Sequence, residues 1–243
     1  YQNYGHNMEE GWARFVFDEF KIPYETVRFK DFKKKNWKQF IKKYDVLFFI
    51  GAAKSEIESG KPPKKWEKWF TPFPPEYQGG LGKEGKKQLA QFLKAGKTII
   101  FMSESVEYGM EKIKLPVTDV IKERYKGKVS CPGSYLEAKV KESELTYGMQ
   151  EKAAVYYRVD PTFSTFVPRE GNQTRRTPVV FGIRDLLMSG SLDGEEYIAR
   201  KSLAVDVKTG GGRVMLFGPN FLYRAQTEGV YKIVFNALFT AAK

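Results

Sequence analysis

The chain of 243 residues contains one cysteine, Cys131, and one histidine, His6. A lone cysteine excludes an internal disulfide and a cysteine-rich zinc site, and leaves the redox compartment open. A lone histidine cannot supply a metal centre that needs two. No apolar run approaches the roughly 18 residues of a membrane helix, and no signal-peptide pattern opens the chain. It begins at Tyr1 without methionine, which reads as a processed or truncated start.

What is plentiful points to a folded globule. The sequence is 42% hydrophobic, with 19 Phe and 14 Tyr, enough apolar surface to escape disorder. Its net charge is +12, which suits an acidic partner or a lysine-rich solvated surface. The lysines fall in short runs (Lys33 to Lys35, Lys42-Lys43, Lys64-Lys65, Lys86-Lys87) with no recognition motif beside them. Nucleic acid is therefore not the expected partner; binding of an acidic polymer stays open as an alternative.

The organising stretch is Gly96 to Ser105. The run Ile99 to Met102 between turn signals predicts a strand buried on both faces, as in a parallel sheet covered by helices. Asp45 to Gly51 predicts a second such strand, and Tyr24 to Phe29 a third. Asn7, followed by Glu10, marks the start of an amphipathic helix over 8–20 with Met8, Trp12, Phe15, Val16 and Phe20 as its apolar face. A short helix is predicted over Trp37 to Lys43 and another ahead of Gly96, with Leu89, Phe92 and Leu93 inward. Residues 52–82, rich in proline, predict a long irregular insertion that Trp66 and Trp69 pin to the domain, although the pair could also form a binding platform. Val106 to Val120 predicts a helix broken at Pro116. Ser134 to Val140, Ala154 to Arg158 and Pro178 to Ile183 predict strands, and Thr165 to Thr177 a polar loop. The glycines of Thr209 to Gly212 predict a hairpin between Ser202–Val207 and Arg213–Gly218, and Thr227 a cap for the last helix, whose inner face is Val230, Ile233, Val234, Leu238 and Phe239. That order predicts one three-layer α/β domain over 1–243, with a mostly parallel sheet and an antiparallel extension. A first strand is expected to lie before Tyr1.

Several segments together resemble a known family: Asn7 to Trp12, Pro74 to Gly82, Cys131 to Ser134, Tyr147 to Met149, Arg213 to Gly218, Arg224 to Thr227 and Phe235 to Leu238. Their order resembles the C-terminal domain of large bacterial zinc carboxypeptidase-like proteins of the carboxypeptidase A type. That domain is similar to class I glutamine amidotransferases, which are flavodoxin-like. The resemblance implies a metallopeptidase parent whose zinc site lies in an upstream domain, with no cofactor in this segment. It also implies an extracytoplasmic location. The upstream domain is the implied partner; a second copy of the chain is a further candidate.

An amidotransferase elbow needs a cysteine and a histidine. Here the elbow offers Ser103, Glu104 and Ser105, and the loop after the late strand reads Pro219-Asn220-Phe221. Ser103 and Ser105 are candidate nucleophiles for a serine hydrolase, set against a structural role at the following helix terminus. Cys131 is a candidate thiol, which His6 would have to polarise. Arg224 and Gln226 are candidate binding residues for a carboxylate or phosphate, or ties to a neighbour such as Glu10. Glu9 and Glu10 read as charges favourable to a helix start. The expectation is a non-catalytic accessory domain for docking, folding or substrate positioning, with metal ligands absent from it.

Overall fold

Five consecutive residues, Thr98 to Met102, are almost wholly shielded from solvent. Alternate side chains of a strand point to opposite faces, so Ile100 and Met102 enter one apolar cluster while Ile99 and Phe101 enter another. This strand therefore builds two cores at once. A computed structural model describes residues 1–5, 7–33, 37–168 and 173–241, and shows what surrounds it.

In chain order the elements are α1 (Met8–Glu19), α2 (Trp37–Lys43), β1 (Val46–Ile50), α3 (Lys54–Ser59), α4 (Gly82–Lys94), β2 (Thr98–Met102) and α5 (Val106–Ile113). There follow β3 (Val117–Asp119), α6 (Val120–Glu123), β4 (Ser134–Val140), β5 (Lys152–Tyr157), β6 (Phe163–Thr165), β7 (Thr174–Phe181) and β8 (Leu187–Ser189). The chain closes with α7 (Glu195–Ile198), β9 (Ser202–Thr209), β10 (Gly212–Phe217) and α8 (Tyr231–Ala241).

The strands form one mixed sheet in the order β1-β2-β10-β9-β7-β4-β5. Both β1 and β10 run parallel to β2, with Phe49 beside Phe101 and Leu216 beside Phe101. From β10 outward the pairing is antiparallel through β9, β7, β4 and β5. Residues of α1 and α8 (Ala13, Val16, Phe17, Ile233, Val234) pack on one face. Residues of α4 and α5 (Leu89, Phe92, Tyr108) pack on the other, which gives the three-layer α/β/α arrangement.

The β9–β10 turn is as expected: Gly210 and Gly211 have φ of 61° and 90°, the positive values that a tight hairpin demands. The antiparallel extension is wider than that hairpin, because Thr174 to Thr177, expected as loop, begins β7. Pro178 lacks an N–H, and the β7–β9 register shifts around it, as a proline inside a strand requires.

Three other expectations change. Tyr24 to Phe29 forms no strand; among the described residues Gln2 N donating to Val27 O is its one backbone-to-backbone tie to the N-terminal segment. The 52–82 stretch is not irregular throughout, since it holds α3 and two short 3-10 turns. Trp66 and Trp69 do not pin it: they are 55% and 73% exposed. The stretch is instead fastened by buried Ile57 and Leu81, whose backbones bond Leu81 N to Ile57 O at 2.8 Å. A Cβ on Gly80 would fall 2.5 Å from the Ser59 nitrogen, so glycine is what lets the two arms of the stretch touch.

Helix α1 is rotated from its expected face. Ala13, Val16 and Phe17 are buried, whereas Met8, Phe15 and Phe20 are more than half exposed. The inward stripe continues through Glu9 and Glu10 in the first turn, carboxylates that an apolar count passes over. Thr227 does not cap α8; its φ is 55° and its hydroxyl donates to Gln226 O. Phe239, expected inward on α8, is 69% exposed.

Candidate functional site at the β2 elbow

At the end of β2 the chain turns sharply through Ser103, whose φ is 58°. A non-glycine residue held in this region is strained and persists where its surroundings over-determine it. Ser103 is 4% exposed, and its Oγ donates to Glu9 Oε2 at 3.1 Å.

Glu9 is delivered by the start of α1. The N-cap Asn7 accepts from Glu10 N, and its Nδ2 donates to Ile50 O at 2.7 Å. That second bond ties the helix start to the end of β1. Gly51, φ 63°, completes the fit: a Cβ there would lie 2.5 Å from Glu9 Cβ.

Two further groups converge on the same carboxylate. Asn220, just past β10, donates from Nδ2 to Glu9 Oε2 at 2.7 Å, and its Oδ1 accepts from Leu222 N. Arg158, just past β5, donates from Nη2 to Glu9 Oε1 at 2.5 Å. The Arg158 guanidinium also lies 4.1 Å over the Tyr223 ring, and Tyr223 stacks on Tyr156 at 5.4 Å. Residues 9, 103, 158 and 220 thus meet at the carboxyl ends of the parallel strands, the place where an open α/β sheet exposes its loops to ligand.

Electrostatics set the protonation states. Burial works against the Arg158 charge, but Glu9 and Asp160 outweigh it, so its pKa is raised. Asp160 Oδ2 accepts from Arg158 N at 2.8 Å. Desolvation nevertheless pushes the Asp160 carboxyl up to about 7, against the pull of the Arg158 N–H and guanidinium, with Glu9 adding to the rise. Desolvation likewise raises Glu104, opposed by Lys65 and reinforced by Glu56 and Glu9. Glu104, Glu107 and Asp119 together with Lys54, Lys65 and Lys122 line a cleft of about 510 Å³ beside the elbow.

The other candidates separate. Ser105 Oγ lies 2.7 Å from Phe49 O and 2.8 Å from Met102 O and accepts from Met102 N, so this hydroxyl staples β1 to β2. Neither elbow serine caps the helix that follows. Cys131 is buried in the core with its Sγ 3.2 Å from Tyr157 O; its expected companion His6 lies outside the described residues. Arg224 does not reach Glu10, which is paired with Arg14. It stands exposed with its guanidinium 5.7 Å from the Tyr223 ring centre, and no ion pair holds it among the described residues. Gln226 Oε1 accepts from Tyr135 OH at 3.2 Å. Arg224, Ala225 and Thr227 all have positive φ, as does Val159 beside Arg158, so strained backbone surrounds this site. Trp66 and Trp69 lie under the Lys65 and Lys68 ammonium groups and take no part in the elbow.

Sequence reasoning missed Glu9, Arg158, Asp160 and Tyr223 as partners. The available signal was the Asn7-to-Glu10 cap facing a strand that ends in Gly51. Among the described residues no group of three or more His, Cys, Asp or Glu side chains could hold a metal ion, and no helix is long and apolar enough to cross a membrane.

No protein-family model matches the chain, and no curated protein matches it. Solved structures do. A ThuA-like protein from Bacteroides uniformis superposes with a TM-score of 0.55 at 7% identity, over 99% of this chain and 88% of its own. Two proteins from Salmonella typhimurium superpose with TM-scores of 0.53 at 10% identity, over 94% and 96% of this chain and 85% and 88% of theirs. At such identities the likeness is one of fold. Both Salmonella proteins are named cytoplasmic, and on that finding the extracytoplasmic location expected above is corrected.

Proposed function

We propose that the chain is a non-catalytic, amidotransferase-like domain of flavodoxin-like fold, whose elbow positions a ligand or partner instead of cleaving one. The carrying observation is the Glu9 carboxylate, which accepts from Ser103, Asn220 and Arg158 together. A nucleophilic serine is activated by an adjacent general base, most often an imidazole or an amine. Glu9 faces a guanidinium and an amide as well as the Ser103 hydroxyl, and no imidazole or amine faces that hydroxyl among the described residues, so we read the carboxylate as holding the serine in place. Asn220 stands in the loop where an amidotransferase would carry its histidine, and an amide cannot shuttle protons at neutral pH.

The resemblance to C-terminal domains of zinc carboxypeptidase-like proteins supports an accessory role beside a metallopeptidase domain of the same protein, in docking, folding or substrate positioning. The naming of the two Salmonella neighbours supports a cytoplasmic setting. The test is turnover of an activated ester and of glutamine by the purified chain. Both rates should equal those of a Ser103→Ala variant, and zinc titrated by calorimetry should not bind stoichiometrically. Ester hydrolysis lost in Ser103→Ala would establish the alternative, a serine hydrolase.

A further inference from the structure

The antiparallel half carries a second feature, unrelated to the elbow. Lys139 and Lys141 at the end of β4, Arg175 and Arg176 in β7, and Arg200 and Lys201 leading into β9 line two clefts of about 440 and 460 Å³. The clefts share Lys141, Thr165 and Thr177, so they form one continuous groove. The sheet register sets the width: Lys139 pairs with Val180, and Val180 with Ser202. Among the described residues, Glu142 is the one carboxylate residue lining either cleft.

Some basic side chains elsewhere are neutralised where they stand. Lys54, Lys97, Lys112, Lys122 and Lys152 each pair with a carboxylate within 3.1 Å. None of the six groove cations makes an ion pair among the described residues; Lys141 Nζ reaches only the Thr177 hydroxyl, at 3.2 Å. Arg175 Nε is buried with no hydrogen-bond partner, and a buried guanidinium donor left unpaired is costly. Folding alone does not account for gathering six unpaired cations from three separated stretches of sequence. An anion seated there would satisfy them.

We propose that this groove docks an acidic segment of polypeptide, its Asp and Glu side chains seated against the guanidinium and ammonium groups. Carboxylates match the arginine fork in two parallel hydrogen bonds, and the hydroxyls of Ser164, Thr165 and Thr177 along the groove can donate to them as well. The aromatic rings that line it, Phe163 and Phe181, are each 1% exposed. They offer no face for bases to stack on, which single-stranded nucleic acid sites use. The charge comes from residues far from the lysine runs visible in the sequence, so the groove is a product of the fold.

Fluorescence anisotropy of labelled poly-L-glutamate tests this, using the whole chain at low salt. Two variants with equal charge change are compared: K141E/R176E in the groove and K86E/K87E on α4. The groove variant should lose at least about tenfold in affinity and the α4 variant less than about twofold, with binding weakening steeply as salt rises. Circular dichroism checks folding, and K141Q/R176Q serves if the reversed pair unfolds. Failure of the unmodified chain to bind, or equal losses in both variants, would overturn the proposal. So would a single-stranded oligonucleotide or phosphatidylserine vesicles binding more tightly than poly-L-glutamate through the same residues.

Discussion

The two halves of the sheet treat charge in opposite ways. At the carboxyl ends of the parallel strands, Ser103 after β2 and Asn220 after β10 meet Glu9 from α1 and Arg158 from beyond β5, and each polar group finds a partner. In the antiparallel half, β4, β7 and the approach to β9 spread six cations along a groove where none makes an ion pair among the described residues. Partnered charges hold a structure in place and resist change. Unpartnered charges are tolerated at a surface because water solvates them, and they gain most when a ligand arrives. The difference separates a site fixed by its own side chains from a surface awaiting a partner.

Substitutions can break or sharpen that contrast. The largest effect should come from the strand both cores share: Phe101→Ala, fully buried between Phe49 and Tyr108, should cost about 3–5 kcal/mol in chemical denaturation. Gly51→Ala comes next. It places a Cβ against Glu9 at a positive φ and should cost about 1–3 kcal/mol, little of which a Glu9→Ala background recovers, because alanine keeps the Cβ that lies 2.5 Å away. Arg158→Met leaves Glu9 without its cation. Since the pair is 30% and 16% exposed, the loss should be about 2 kcal/mol, below that of a fully buried pair. By contrast, K141E/R176E should shift stability by no more than about 0.5 kcal/mol, because those side chains make no ion pair among the described residues and Lys141 has only an exposed bond to Thr177.

Asp160 supplies a pH-dependent version of the same contrast. Its carboxyl titrates near 7 in the fold against about 3.9 unfolded. Between those values the unfolded chain has released its proton while the folded chain keeps it. Stability should therefore fall as pH rises from about 4 to 7, by at most about 1.4 kcal/mol per pH unit, and level off above. Asp160→Asn cannot ionise, so its stability relative to the unmodified chain should improve across that window. A flat difference between the two would show that Asp160 titrates normally.

The sequence made the architecture legible where one residue type had one reason to be present. The uninterrupted run of β2 and the glycines of the β9–β10 turn each admit a single physical reading. Helix α1 misled because bulk outvoted position: Met8 and Phe15 look like core residues, yet the inward stripe runs through Ala13 and Val16 down to two glutamates. Trp66 and Trp69 misled in the same way, since the 52–82 stretch is held by small contacts at Gly80. The elbow was found from β2 alone, but its partners come from positions 9, 158 and 220, which no local pattern connects. The groove was illegible for the same reason: its cations stand in pairs at 139 and 141, 175 and 176, 200 and 201, and only strand pairing joins them.

The proposed role of the elbow requires Ser103 to be a held hydroxyl and not a nucleophile. Intact-mass spectrometry after incubation with a fluorophosphonate probe examines this directly. The predicted result is an unchanged mass for the chain at neutral pH, the same as for Ser103→Ala. A single stoichiometric adduct that maps to Ser103 and vanishes in that variant would contradict it.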